Sequence, residues 1–301
     1  MRVAILMNPR SGRNKAERLA DELARLLRAR GHGVTLRDVH GPDEPMSGTL
    51  SGCERVVVVG GDGTVHHLLR PLCDAQVPVY HLATGTANLI AKYFRFSRNP
   101  ATIVGDLERE HEPVCLDVPT ANGTPFLIML SLGMDASVIH RFEASRTTSG
   151  GYRAYFGPTL RELLSPRPAR LSIEHGTHQG TMMGRPGGLM VANMPSYALG
   201  INPCADADPS DGLIDARMYR AGTAIGCGFR FALMRLRLGA GSTLRTPSIR
   251  IRTIDRACAV QIDGENPTGV VGLTDGFLHP GGELVVGFDG GKIPLHGVGR
   301  G

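Results

Sequence analysis

The most constraining stretch of this 301-residue chain is Val56-Val57-Val58-Val59 running directly into Gly60-Gly61-Asp62-Gly63-Thr64. Four consecutive valines read as a buried strand. Glycines at its end let the backbone come close to a ligand and turn unhindered N–H groups toward phosphate oxygens. Asp62 sharpens that reading. A carboxylate beside polyphosphate is repelled unless it holds a magnesium ion or accepts a proton during phosphoryl transfer. The bland alternative is a tight turn carrying a surface aspartate. Other glycine-rich templates fail: no glycine stands at position 66 to complete GxGxxG, and no segment reads GxxxxGK followed by Ser or Thr.

The first third alternates strand and helix. Val3–Met7, Val34–Leu36, Val56–Val59 and Val77–Leu82 are strand-length apolar runs. Between the first two, Ala16, Leu19, Ala20, Leu23, Leu26 and Leu27 recur at helical spacing, with acids early and arginines late as the helix dipole prefers. Further helices are expected over Val65–Cys73 and from about Asn88. This alternation predicts an α/β domain with a parallel sheet that binds ligands at the carboxyl ends of its strands. Three loops land there, Asn8 to Gly12, Gly60 to Thr64 and Thr84 to Asn88, and they are expected to converge on one crevice.

From about Asp117 the texture changes to short strands among Gly and Pro: Phe126–Leu132, Leu171–Ile173, Leu189–Ala192, Leu213–Met218, Ile249–Ile251, Ala259–Ile262 and Leu284–Val286. They predict a second, β-rich, sandwich-like domain. The division expected is 1–118 and 119–301, with the extreme C-terminus free to return to the first domain. Hydrophobic residues at 42% and charged residues at 20% describe a globular chain. The longest apolar run, Phe126–Met134, is interrupted by Ser131 and Gly133 and is too short to span a bilayer. With no signal-peptide pattern at the start and six cysteines without framework spacing, the expected compartment is the cytoplasm, with reduced, mostly buried thiols.

The formal charge of +5 is unevenly spread, residues 220–256 carrying eight arginines against the single acid Asp255. Phe229–Leu238 mixes basic and apolar residues in a pattern suited either to an anionic membrane surface or to an ordinary helix with a solvated arginine face. Nucleic acid is not expected, since aromatics are only 5% and no reading motif is present. His66 and His67 are adjacent on a helix and point about 100° apart, so with His81 they do not make a metal site.

Six motifs in order, Asn8-Pro9-Arg10-Ser11-Gly12, Gly60-Gly61-Asp62-Gly63-Thr64, Gly85-Thr86-Ala87-Asn88, Leu116-Asp117-Val118, Asp211-Gly212 and Asp263-Gly264-Glu265, resemble the diacylglycerol kinase catalytic-domain family. That family includes bacterial lipid kinases and sphingosine and ceramide kinases, and the resemblance spans essentially the whole chain. It implies an α/β nucleotide domain followed by a β-rich domain, with the active site in the cleft. By resemblance, Gly60, Gly61, Gly63 and Thr64, with Asn8, Ser11, Gly12, Thr86 and Asn88, surround ATP. Asp208, Asp211 and Leu213 match the residues that bind a structural Mg2+, partly through backbone carbonyls, and Glu265 matches the general base, with Asp62 as its competitor for that role.

The chain departs from the family pattern at His66-His67, where many bacterial members read Asn-Glu, and at Leu89, where they have Asp. Ala83 replaces a frequent Pro, and His40 stands in place of a nucleotide-contacting Thr. The change at Leu89 removes one member of a water-and-magnesium network that in those relatives joins the residues matching Asp62 and Asp117. The expected function is an ATP-dependent lipid kinase, with diacylglycerol ahead of a sphingoid base, ceramide or phosphatidylglycerol. An apolar slot for the acyl chains is expected along Phe126–Met134 and Tyr152–Leu164. The alternatives are an NAD kinase-like enzyme and a nucleotide- or lipid-binding protein without turnover. Expected partners are a lipid substrate at the membrane surface, through peripheral contact, and a homodimer is compatible with the sequence.

Overall fold

The structure is a computed structural model and describes residues 1–12, 15–41, 45–144, 157, 159, 168–176, 187–195, 197, 201–220, 224–236, 242–289 and 291–297. Met1–Asp117 with Gly291–Gly301 form one compact unit, and Val118–Gly290 form another.

The first unit runs β1 (Arg2–Met7), α1 (Lys15–Ala29), β2 (Gly33–Asp38), α2 (Ser47–Leu50), β3 (Arg55–Gly60), α3 (Asp62–His67), α4 (Leu69–Ala75), β4 (Val79–Ala83), α5 (Leu89–Tyr93), α6 (Pro100–Glu108) and β5 (Val114–Asp117). β1 to β4 are mutually parallel, and β1, β3 and β4 are buried almost without interruption, as strands covered on both faces must be. α1 buries Ala16, Ala20, Leu23, Ala24 and Leu27, a single stripe that packs on the sheet and on α6. Asn99 caps α6 by accepting the N–H groups of Ala101 and Thr102, and Pro100 opens the helix where its missing N–H costs nothing.

The helix expected over Val65–Cys73 is two helices, broken at Leu68. Inside one continuous helix Pro71 would clash with the carbonyl of His67; the break puts Pro71 in the first turn of α4, where proline is tolerated.

The second unit continues with β6 (Thr120–Ala121), β7 (Thr124–Pro125), β8 (Met129–Leu132), α7 (Met134–Ala144), β9 (Leu171–His175), β10 (Gly187–Ala192), β11 (Ile214–Arg220), a helix at Ala224–Arg235, β12 (Ser242–Thr246), β13 (Ser248–Thr253), β14 (Cys258–Ile262), β15 (Phe277–Leu278) and β16 (Leu284–Gly287). One antiparallel sheet has the order β12-β11-β10-β8-β14-β15 and the other β7-β6-β16-β13-β9. Alternate residues of both, among them Leu130, Leu132, Val260 and Ile262 from the first and Ile249, Ile251, Leu284 and Val286 from the second, share one core. This is the sandwich expected from the strand spacing. The intervening residues of β8 and β14 face the other way, on the side where α7 packs.

The chain then returns to the first unit. β17 (Lys292–Leu295) lies between β4 and β5, antiparallel to β5 and touching β4 at Leu295↔Val79. Ile293 and Leu295 are buried. Ile293→Ala should therefore cost about 2–5 kcal/mol of the first unit's stability in urea unfolding, the usual range for truncating a core aliphatic. A loss under about 1 kcal/mol would mean that this strand is not an integral part of the sheet.

Candidate active site

The three loops at the ends of β1, β3 and β4 interlock. Asn8 donates its backbone N–H to the carbonyl of Val59 at 3.0 Å and its Nδ2 to Thr64 Oγ1 at 3.3 Å, joining the first loop to the second. Thr84 Oγ1 donates to Ser11 Oγ at 2.7 Å, joining the third to the first. The third approaches the second backbone to backbone, for a Cβ on Gly85 would sit 2.7 Å from the Cα of Gly61. Gly60 is equally enforced, since a Cβ there would overlap the side chain of Thr64 at 2.4–2.7 Å. The glycines of this segment are thus required by packing before any ligand is considered. Thr64 and Asn88 are buried, Gly63 is half-buried and Thr86 is exposed. Asn88 donates Nδ2 to the carbonyl of Gly85 at 2.7 Å and keeps a buried Oδ1 with no hydrogen-bond partner among the described residues.

Asp62 ties the second loop to the third. Its carboxylate accepts the backbone N–H of Leu89 at 3.0 Å and of Ile90 at 3.2 Å, at the first turn of α5. Leu89 thus meets Asp62 through its main chain. Asp117 forms an ion pair with Lys292 Nζ at 2.8 Å, so β17 brings a cation to it. Sequence reasoning missed this lysine, and weighed only as a metal ligand His81, which lies buried in β4 and shares a 3.0 Å hydrogen bond between Nε2 and the carbonyl of Gly60. Burial holds the His81 imidazole below its usual pKa, against the opposing pull of Asp62, so its neutral form donates to that carbonyl. The signal was a histidine inside a strand that is otherwise apolar. His66 and His67 stack edge to face on α3 with ring centroids 5.5 Å apart.

In the second unit, Asp263-Gly264-Glu265 is a two-residue turn off the end of β14. Asp263 and Gly264 have φ of +51° and +87°, the positive pair that a type I′ turn demands, and Ile262 and Glu265 exchange backbone hydrogen bonds of 3.0 Å. Asp263 does not face a ligand. Its carboxylate accepts the N–H groups of Leu127, Ile128 and Met129 at 2.8–2.9 Å, clamping the turn to the segment that enters β8. The residue after the turn is held too, the N–H of Asn266 donating to Glu143 on α7 at 3.0 Å. Glu265 is therefore presented from a turn fixed on both sides.

Residues 2–117 match the diacylglycerol kinase catalytic domain family. A Mycobacterium tuberculosis protein named diacylglycerol kinase is 29% identical over 234 residues, 73% of this chain and 74% of that one. A solved diacylglycerol kinase structure from Bacillus anthracis shares the fold with a TM-score of 0.63 over 97% of this chain and 96% of its own, at 15% identity. Another solved chain from the same organism reaches 0.70 over 99% and 98%, at 18% identity.

The diacylglycerol kinase resemblance assigned a structural magnesium to Asp208, Asp211 and Leu213, and the structure puts these residues in one loop before β11. Asp208 Oδ1 accepts the N–H and hydroxyl of Ser210 at 3.0 and 2.6 Å, and Asp211 Oδ1 accepts the N–H of Leu213 at 2.9 Å. The other oxygen of Asp211 takes a hydrogen bond from Arg245, whose Nε also lies 3.8 Å from Asp215. Arg245 stands opposite Asp215 in the β11–β12 ladder, so the sheet itself delivers a cation to the loop. Among the described residues, no group of three or more His, Cys, Asp or Glu side chains is placed to hold a metal ion. In this structure the second oxygen of Asp211 is thus served by Arg245.

Other arginines of the basic stretch are likewise paired, Arg250 with Glu283, Arg252 with Glu174 and Glu283, and Arg256 with Asp255. The charge seen along the sequence is thus partly cancelled by distant acids. Cys53, Cys73, Cys115, Cys204 and Cys258 are free thiols, three of them buried and Cys115 exposed. No described helix is long and apolar enough to cross a membrane. The segment Tyr152–Leu164 lies almost wholly outside the described residues.

Two outcomes follow from this geometry. Asp263→Ala strands three backbone donors in a partly buried site and should destabilise the second unit by about 2–4 kcal/mol in chemical denaturation. A change within about 0.5 kcal/mol would show the clamp to be idle. In the absence of nucleotide, adding or chelating magnesium should leave the melting temperature unchanged, because Arg245 already serves Asp211; a saturable magnesium-dependent rise would show that the arginine yields to the metal.

Proposed function

We propose that the chain is an ATP-dependent lipid kinase that transfers the γ-phosphoryl group to a lipid hydroxyl, with diacylglycerol as the first candidate acceptor. The observation that carries this reading is the set of interlocked glycine loops at the strand ends of a segment that matches the diacylglycerol kinase catalytic domain. Bare main chain at Gly60, Gly61 and Gly85 suits phosphate oxygens, which need close N–H donors and tolerate no Cβ in the way. The buried, unpartnered Oδ1 of Asn88 is an acceptor suited to a hydroxyl or amino group of the nucleotide. Asn8, Ser11, Gly12, Gly63, Thr64 and Thr86 complete the nucleotide assignment. Magnesium would enter with the nucleotide and neutralise its phosphate charge. Asp62 is the side chain that would meet it, since each carboxylate oxygen keeps a lone pair beyond its bond to the amides of Leu89 and Ile90.

In this assignment Glu265 does the proton work. A lipid hydroxyl is a weak nucleophile. As its oxygen bonds to the γ-phosphorus, the bond from that phosphorus to the ADP oxygen breaks, and the hydroxyl proton passes to the Glu265 carboxylate. The fixed turn supplies the orientation that such a base requires.

The acceptor lies in a bilayer, so the enzyme must work at a membrane surface. The helix Ala224–Arg235 is the element proposed to meet it. Phe229 and the following Leu236 are 61% and 64% exposed, and Ala232 between them is exposed as well, an apolar stripe at helical spacing beside the basic Arg235.

With diacylglycerol in mixed micelles, Glu265→Gln should lower kcat by about 100-fold or more while the KM for ATP holds, because an acceptor of protons is lost and no nucleotide contact is. Loss of ATP binding, or a wild-type kcat, would remove Glu265 from this role. Asp62→Asn should also lose turnover by orders of magnitude in a folded protein, and normal turnover would detach the glycine loops from catalysis. Phe229→Ser should weaken binding to anionic vesicles without touching kcat on a soluble short-chain acceptor; undiminished vesicle binding would clear this helix of the docking role.

A further inference from the structure

The outward face of the β8–β14 pair carries polar residues where a sheet covered by a helix ordinarily carries apolar ones. Ser131 on β8 and Gln261 on β14 are cross-strand partners, and both are fully buried. Gln261 Nε2 donates to Ser131 Oγ at 2.8 Å. The hydroxyl of Ser131 donates in turn to Asp135, in the first turn of α7, and the Tyr219 hydroxyl donates to the other oxygen of Asp135 at 3.4 Å. At its far end Gln261 Oε1 accepts the backbone N–H of Gly264 at 2.6 Å. The chain of hydrogen bonds thus begins at a buried carboxylate and ends on the backbone N–H of Gly264, the residue before Glu265.

We propose that Gln261 is a positioning residue for Glu265, its amide held in one orientation by Ser131 and Asp135. The direction of every bond follows from the carboxylate. An ionised Asp135 only accepts, so the Ser131 proton must point toward it, which leaves the Ser131 oxygen to accept from Gln261. That fixes the amide with its NH2 toward Ser131 and its carbonyl toward Gly264. A flipped amide would set NH2 against the Gly264 N–H, two donors face to face in a dry site.

Burial pushes the Asp135 carboxyl up, opposed by the bonds from Ser131, from Tyr219 and from the backbone N–H groups of Asp135 and Ala136, and the balance falls at about 6. Burial, with the charge of Asp135, pushes the Cys258 thiol up to about 12, so it stays neutral. The donors around this carboxylate stabilise its charge inside the sheet and helix interface, and through Ser131 and Gln261 its hydrogen-bond chain reaches the Glu265 turn.

This inference rests on the assignment of Glu265 as base, and the test separates the two. Gln261→Met keeps the volume and removes both hydrogen bonds. At neutral pH, with MgATP and diacylglycerol in mixed micelles, it should lower kcat roughly tenfold or more with the KM for ATP within about twofold of wild type. Gln261→Glu keeps an acceptor for Gly264 and should recover part of that loss. Hydrogen exchange of the Gly264 amide should be faster in the Met variant than in wild type, a readout that does not involve catalysis. Should Gln261→Met fail to fold, Ser131→Ala cuts the chain while leaving the Gly264 acceptor, and a smaller loss of kcat at unchanged KM is expected. A wild-type kcat in Gln261→Met, unaltered Gly264 exchange, or equal losses in the Met and Glu variants would overturn the proposal. If Glu265→Gln itself turns over normally, the base assignment has failed; if Glu265→Gln is impaired and Gln261→Met is not, the failure belongs to the positioning role alone.

Discussion

The structure of the first unit's loops depends on the Asp62 carboxylate, which sits between the main chains of two loops that would otherwise meet as bare glycine. Gly61 and Gly85 approach so closely that a Cβ on Gly85 would sit 2.7 Å from the Gly61 Cα, and Thr84 donates its backbone N–H to the Gly60 carbonyl at 2.9 Å. Asp62 adds to this from one residue away by accepting the N–H groups of Leu89 and Ile90. The same side chain therefore ties the loops together and, in the proposed function, stands where phosphate charge would develop. Charge at this position is tolerable because two amide donors already stabilise it before any nucleotide arrives.

The second unit solves a different problem with the same device. A turn with two residues of positive φ is strained for aspartate and natural for glycine, and it persists because the Asp263 carboxylate is over-supplied with backbone donors. Gln261 and Glu143 hold the peptides on either side. In both units a carboxylate that looks catalytic in the sequence is engaged with main chain. In the motif Asp263-Gly264-Glu265, the first residue anchors, the second turns and the third is the proposed base.

Much of this was legible in the residues. The valines before Gly60, the stripe of Ala16 to Leu27 and the alternation in Leu130 and Leu132 or Ile249 and Ile251 announce their elements because burial pattern and chain period agree. β12 was not legible: its Ser-Thr-Leu-Arg-Thr sequence belongs to a sheet edge, where one face and one side need no apolar residue. β17 was hidden by Pro294, which argues against a central strand, yet its contact with β4 is confined to one register pair, so the missing donor is tolerated. Ser131 read only as an interruption of an apolar run, because its partner Gln261 is distant in sequence and becomes its neighbour only through β8–β14 pairing. Arg245 and Lys292 were invisible for the same reason: each meets its carboxylate across strands.

The central claim is that this chain transfers phosphate from a nucleotide to a lipid, and it is tested most directly by incubating the purified protein with γ-phosphate-labelled ATP and a total extract of membrane lipids. The account predicts label in a chloroform-soluble phosphomonoester, formed by the wild-type protein and reduced about 100-fold or more in Glu265→Gln at equal ATP binding. Label transferred to nicotinamide dinucleotide, or ATP bound with no label in any lipid, would contradict it.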